Sequence, residues 1–138
     1  MIMVALICGT VFTNCDKEID ANEIDGTYVG TYTWTYNDGS PLSSTPTIEL
    51  REGKYTYKGL SKGSYFDSGY GKFTISGNKI TFDLTYYDIP MEKIGANQNW
   101  LLQGEYTCIF DENKLTFSKK VSNSDGKFEY VFELKRNK

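Results

Sequence analysis

Residues 26–36, GTYVGTYTWTY, alternate over their whole length between an aromatic residue or glycine and a threonine or valine. A period of two suits a β-strand. It puts Tyr28, Gly30, Tyr32, Trp34 and Tyr36 on one face and Thr27, Val29, Thr31, Thr33 and Thr35 on the other, where β-branched side chains fit the pleat. An aromatic face of this length has to be covered, and the chain covers it by repetition. Strand-like runs follow at 46–52, 54–60, 70–76, 79–87, 100–110, 114–121 and 127–136, which with 27–36 make eight. No 3.6-residue periodicity persists beyond one or two turns.

Three connections share one local pattern: Leu50-Arg51-Glu52-Gly53-Lys54-Tyr55, Ile75-Ser76-Gly77-Asn78-Lys79-Ile80 and Phe110-Asp111-Glu112-Asn113-Lys114-Leu115. Gly and Asn accept the positive φ of a two-residue hairpin turn, so Leu50 is expected opposite Tyr55, Ile75 opposite Ile80 and Phe110 opposite Leu115. The remaining connections, 37–45, 61–69, 88–99 and 122–126, are longer. In up-and-down order the tight turns close one end and the longer connections crowd the other. The expected fold is all-β: an eight-stranded antiparallel up-and-down barrel, first strand beside last, which removes the sheet edges. The 88–99 connection, with Pro90, Gly95 and apolar Ile89, Met91 and Ile94, is the one place where a short helix is expected, as a cap over the open end.

Strand parity gives an inward set. Near the tight turns it is aliphatic and dry (Leu50, Ile75, Ile80, Leu115, Leu134); toward the other end it mixes phenols and indoles with Gly59, Gly69, Gly71 and Gly104. Glycines on an inward face suit either barrel curvature or a cavity. The inward tyrosines 28, 32, 36, 55, 57, 86, 106 and 130 weigh toward an amphipathic interior, because an unpaired buried hydroxyl costs about 1–3 kcal/mol. The candidate ligand contacts are Trp34, Tyr36, Tyr57, Tyr86, Trp100, Tyr106 and Tyr130, with Lys119, also inward by parity, able to meet an anionic headgroup or to reach water at the mouth.

Composition narrows the chemistry. The 138 residues suit one domain, the formal net charge of -3 argues against a nucleic-acid partner, and the absence of histidine excludes His-based triads and the commonest zinc sites. Ser118-Lys119 and Asp125-Gly126 lack the constellation or ligand spacing that catalysis or calcium needs, so the expectation is a non-enzyme with no cofactor and no metal.

Residues 1–14 are uncharged and mostly apolar, and Cys15 then opens the acidic run DKEIDANEIDG. The apolar stretch has the length of a signal h-region and is short for a membrane span. A cysteine closing such a region resembles the lipobox of bacterial lipoproteins. The resemblance implies a signal peptide at 1–14, acylation of Cys15, an acidic tether at 15–25 and a domain at 26–138, placed in the cell envelope on either face of a Gram-negative outer membrane. Cys8 leaves with the signal and Cys15 carries lipid, so Cys108 has no partner for a disulfide.

From residue 24 to 136 the strand order and loop asymmetry resemble the lipocalins and other calycins, above all the lipocalin-like domains of small bacterial lipoproteins. Gly26-Thr27-Tyr28 stands where calycins carry Gly-x-Trp, and Arg136 has the parity of the arginine that packs across that ring. The resemblance implies non-catalytic binding of a small hydrophobic or amphipathic molecule in the open end, by a domain favoured to be monomeric. Two other functions remain open at this point: a protein-interaction or inhibitor module with a filled interior, and glycan binding by aromatics such as Tyr65, Phe66, Tyr70 and Tyr87.

Overall fold

The structure, a computed structural model, describes residues 19–60, 68–88 and 101–137. Cys15, Tyr65, Phe66, Trp100 and the expected helical turns of the 88–99 connection lie outside the described residues. Among the described residues there is no helix, and nine strands form one antiparallel sheet: β1 (Gly26–Tyr36), β2 (Leu42–Ser44), β3 (Thr47–Arg51), β4 (Lys54–Lys58), β5 (Ser68–Ser76), β6 (Lys79–Asp88), β7 (Gly104–Asp111), β8 (Lys114–Asn123) and β9 (Gly126–Asn137). β1 pairs with β9 from Thr27↔Asn137 to Tyr36↔Phe128, so the sheet closes first strand to last. The result is an eight-stranded barrel with one additional short strand.

That additional strand is β2. It pairs with β1 in the register of β3: Tyr32↔Ser44 continues Tyr28↔Ile48 without a shift. The two are halves of one strand parted at Thr45-Pro46, where proline has no N–H to give the ladder. The connection expected at 37–45 therefore shrinks to a tight turn, with Asn37 and Asp38 at φ 49° and 59° and Gly39 N–H donating to Tyr36 O at 2.9 Å. The 122–126 connection shrinks likewise, since β8 and β9 pair up to Asn123↔Gly126. The two turns are tied together: Asn37 N–H donates to Lys127 O at 2.7 Å, and Tyr36 Oη to Asp125 O at 2.7 Å.

The three tight turns at the other end form as expected, and Leu50↔Tyr55, Ile75↔Ile80 and Phe110↔Leu115 face each other. Positive φ falls on Glu52 with Gly53, on Gly77, and on Glu112, where Asn113 had been the expected host. Below these turns the chain seals the base. Ile24 is fully buried and Ile19 nearly so, although both sit in the acidic run expected to be a tether. The Asp25 carboxylate accepts Glu52 N–H at 3.1–3.2 Å, and Tyr28 Oη donates to Ile24 O at 2.7 Å. Arg136 completes the seal, with its guanidinium carbon 5.6 Å from the Tyr28 ring centroid and 5.1 Å from that of Phe110. Its Nη1 and Nη2 donate to Asp25 O and Glu23 O, both at 2.9 Å. The arginine expected across the Tyr28 ring is there.

Above the base the interior is a ladder of rings. Phe117 and Phe132 stack at 4.4 Å, Phe132 and Tyr32 at 4.3 Å, and Tyr32 and Trp34 at 5.2 Å, while Tyr106 sets its edge against Phe82, Phe117 and Phe132. Such offset and edge-on pairs contribute about 0.5–1.5 kcal/mol each beyond area burial.

Candidate functional site

Trp34, Tyr57, Tyr106 and Tyr130 are buried facing the interior, as strand parity expects. Tyr36 shares their face at the end of β1, but it is half exposed, with its ring 5.0 Å from Phe128. Tyr86 departs from expectation. β6 carries one extra residue, Thr85, between Tyr70↔Tyr86 and Gly71↔Leu84. This β-bulge reverses the parity above it and turns Tyr86 to the outer surface, half exposed and stacked on Tyr70 at 5.4 Å. The inward orientation of Tyr86 is thus overturned.

Lys119 is inward as expected, and it organises the upper interior. Its Nζ lies 4.6 Å from the Tyr106 ring centroid and 5.6 Å from that of Tyr130, and it donates to Gln103 O at 2.8 Å. Gly104, at φ 94°, makes room for it: a Cβ there would lie 2.9 Å from Nζ. Burial holds the amine below the usual lysine range. Among the described residues the one ion pair is Arg51 with Glu49, far from this position on the outer face. Among the described residues this half-buried ammonium thus has aromatic walls, one carbonyl acceptor and no carboxylate partner, which leaves it with donor capacity there.

One neighbouring segment departs from the strand expected at 100–110. Residues 101–103 read as the start of a strand, yet they precede β7 and cross the interior. Leu102 is fully buried, Tyr55 Oη donates to Leu102 O at 2.6 Å, and the adjacent carbonyl is the one Lys119 holds. Leu60 is also fully buried where alternation would turn it out, because Gly59, at φ 83°, breaks the strand before it. A glycine adjoining the last strand position was the available signal.

The inward glycines do not mark open space. The Tyr57 ring covers Gly69, Asp83 O lies where a Gly71 side chain would begin, and Lys119 reaches Gly104. Curvature and close approach account for them. The phenols, too, find main-chain partners: Tyr28, Tyr36 and Tyr55 donate to the carbonyls of Ile24, Asp125 and Leu102. Burial raises Tyr28 to about 12 and pushes Tyr55, Tyr106 and Tyr130 up as well; it also raises the Cys108 thiol to about 12, leaving it a poor nucleophile.

Among the described residues no three carboxylate or thiol side chains converge on a metal position. At the upper end Lys119 lies against Tyr106 and Tyr130, and Trp34 pairs with Tyr130 across β1 and β9, so one amine and three aromatic side chains are brought together. No family model matches the chain, and no curated protein is similar to it.

Proposed function

We infer that this is a non-catalytic binding domain for a small amphipathic molecule whose anionic or strongly hydrogen-bond-accepting head meets Lys119. The carrying observation is the Lys119 ammonium, half-buried between the Tyr106 and Tyr130 rings with a carbonyl as its protein partner. A bound acceptor makes good the desolvation of that amine, and Trp34, Tyr130 and Tyr106 offer apolar walls to the rest of the molecule. Tyr36 and Phe128 stand at the rim. Closure of β1 on β9 and the Arg136–Tyr28 contact support the lipocalin-like reading of the domain.

The lipid anchor belongs to the same proposal. Cys15 at the end of an uncharged apolar stretch supports an envelope lipoprotein, tethered from the sealed base so that the Lys119 end points away from the membrane. Two experiments test the parts separately. Native mass spectrometry of the protein purified from its own membrane fraction should show a bound small acid, and repeated recovery of ligand-free protein counts against the binding reading. Cys15→Ser should release the protein into the soluble fraction; retention in membranes removes the anchor.

A further inference from the structure

The bulge at Thr85 has a result on the outer surface that interior binding does not use. In an unbroken ladder Tyr70 would face Thr85 and Tyr86 would point inward; the extra residue puts the two tyrosines directly opposite each other outside. Each remains about half exposed, at 49 % and 51 %, with rings stacked at 5.4 Å and 26°. Half-exposed rings stabilise the fold less than buried ones, so the rearrangement is not explained by core packing. Gly71 sustains it: a Cβ there would lie 2.1 Å from Asp83 O, a distance no side chain tolerates.

The tyrosine pair ends a polar row. Thr27↔Glu49, Glu49↔Thr56, Thr56↔Tyr70 and Tyr70↔Tyr86 are successive cross-strand partners, so one line of outward side chains runs over five strands. At roughly 4.8 Å per strand the line is about 19 Å long. It floors an open groove of about 600 Å³ that Lys58 and Ser68 also border. Arg51 Nη2 donates to Glu49 Oε2 at 2.9 Å, which neutralises and orients the carboxylate.

We propose that this groove binds a neutral oligosaccharide chain, with one sugar stacked on the Tyr70–Tyr86 platform and the following sugars hydrogen-bonded along the threonine and glutamate row. The chemistry of the groove selects that ligand. A pyranose presents a face of C–H bonds, whose positive hydrogens suit the negative face of a phenol ring, and a rim of hydroxyls, which suit Thr27, Thr56 and the held Glu49 carboxylate. A paired carboxylate beside one lysine gives no reason to favour an acidic chain. The site lies on the opposite face of the sheet from Lys119, so either can fail without the other.

Native gel electrophoresis through soluble xylan, galactomannan, hydroxyethylcellulose, starch or polygalacturonate reads the binding. At least one neutral polysaccharide should retard the protein. Tyr70→Ala and Tyr86→Ala should each weaken that retardation at least tenfold, while Tyr87→Ala, across from Gly69 on the other face, leaves it unchanged. Both platform substitutions are at exposed positions, and an unchanged circular dichroism spectrum checks that they fold. The proposal is overturned if no neutral polysaccharide retards the protein, if polygalacturonate alone does, or if retardation survives the double Tyr70→Ala/Tyr86→Ala change. Self-association that rises with protein concentration and is abolished by Tyr86→Ala would assign the platform to a second copy instead.

Discussion

The two ends of this barrel handle half-buried cations in different ways. At the base, Arg136 lies across Tyr28 and Phe110 and gives its two terminal nitrogens to the carbonyls of Asp25 and Glu23. At the upper end, Lys119 lies against Tyr106 and Tyr130 and has Gln103 O as its hydrogen-bond partner. The same cation–aromatic contact, worth roughly 0.5–2 kcal/mol, serves both. The difference is what the chain supplies around it: at the base an N-terminal segment folds under to accept from both terminal nitrogens of the arginine, and at the top the described residues supply the amine with one carbonyl. The base thus answers both terminal nitrogens of its cation and leaves only Arg136 Nε buried without a partner, whereas the upper cation has one acceptor among the described residues.

The largest effect should come from the layer dividing the two ends. Phe117 is fully buried between Phe132, Phe82 and Tyr106. Phe117→Ala should lower unfolding stability by about 3–5 kcal/mol in urea titration. A loss under 1 kcal/mol would mean that the ring ladder is not the common support of both ends.

The next effect separates the cations directly. Arg136→Met removes charge-assisted donors from two carbonyls and should destabilise by about 2–3 kcal/mol. Lys119→Met replaces a half-buried ammonium by an apolar side chain of similar shape, and should leave stability within about 1 kcal/mol or raise it. Equal losses in both variants would make Lys119 a structural clasp like Arg136, holding 101–103 in place.

Alkaline titration gives Tyr28 and Lys119 opposite signs. Burial raises Tyr28 from its ordinary 10.0 to about 12, so above pH 10 the unfolded chain releases a proton that the folded one keeps, and this part of the stability is lost between pH 10 and about 12. Lys119 is lowered when folded, so the unfolded chain holds its proton longer, and its contribution to stability grows as pH rises toward the ordinary lysine value. Denaturation midpoints measured across this range should fall less steeply in Tyr28→Phe than in the parent. The same variant at pH 7 should cost only about 1 kcal/mol, the value of the bond to Ile24 O, and is the smallest effect expected here.

How much of this was legible follows from which features are local. Turn chemistry at Glu52-Gly53 and Gly77-Asn78, together with an unbroken period of two, sufficed to pair the strands near the base and to set Tyr28 and Arg136 on one face. Parity also put Trp34, Tyr106, Lys119 and Tyr130 inside. It failed at Tyr86, because one inserted residue shifts every later side chain to the other face and Thr85 looks like any strand threonine. It failed at Leu60 for a related reason, a left-handed Gly59. The burial of Ile19 and Ile24 was hidden by the acids around them, whose charges stay at the surface while the two isoleucines turn inward. The loop asymmetry was overstated at 37–45 and 122–126, since Asn37, Asp38 and Gly126 adopt positive φ and let strands run to the turn.

The claim that the upper end is a binding site is tested most directly by calorimetric titration with dodecanoate and dodecan-1-ol, which share a chain and differ in the head. The account predicts that dodecanoate binds at least tenfold more tightly than the alcohol, and that Lys119→Met removes this preference with little change in melting temperature. Equal affinity for the two heads, or a preference for dodecanoate that survives Lys119→Met, contradicts it.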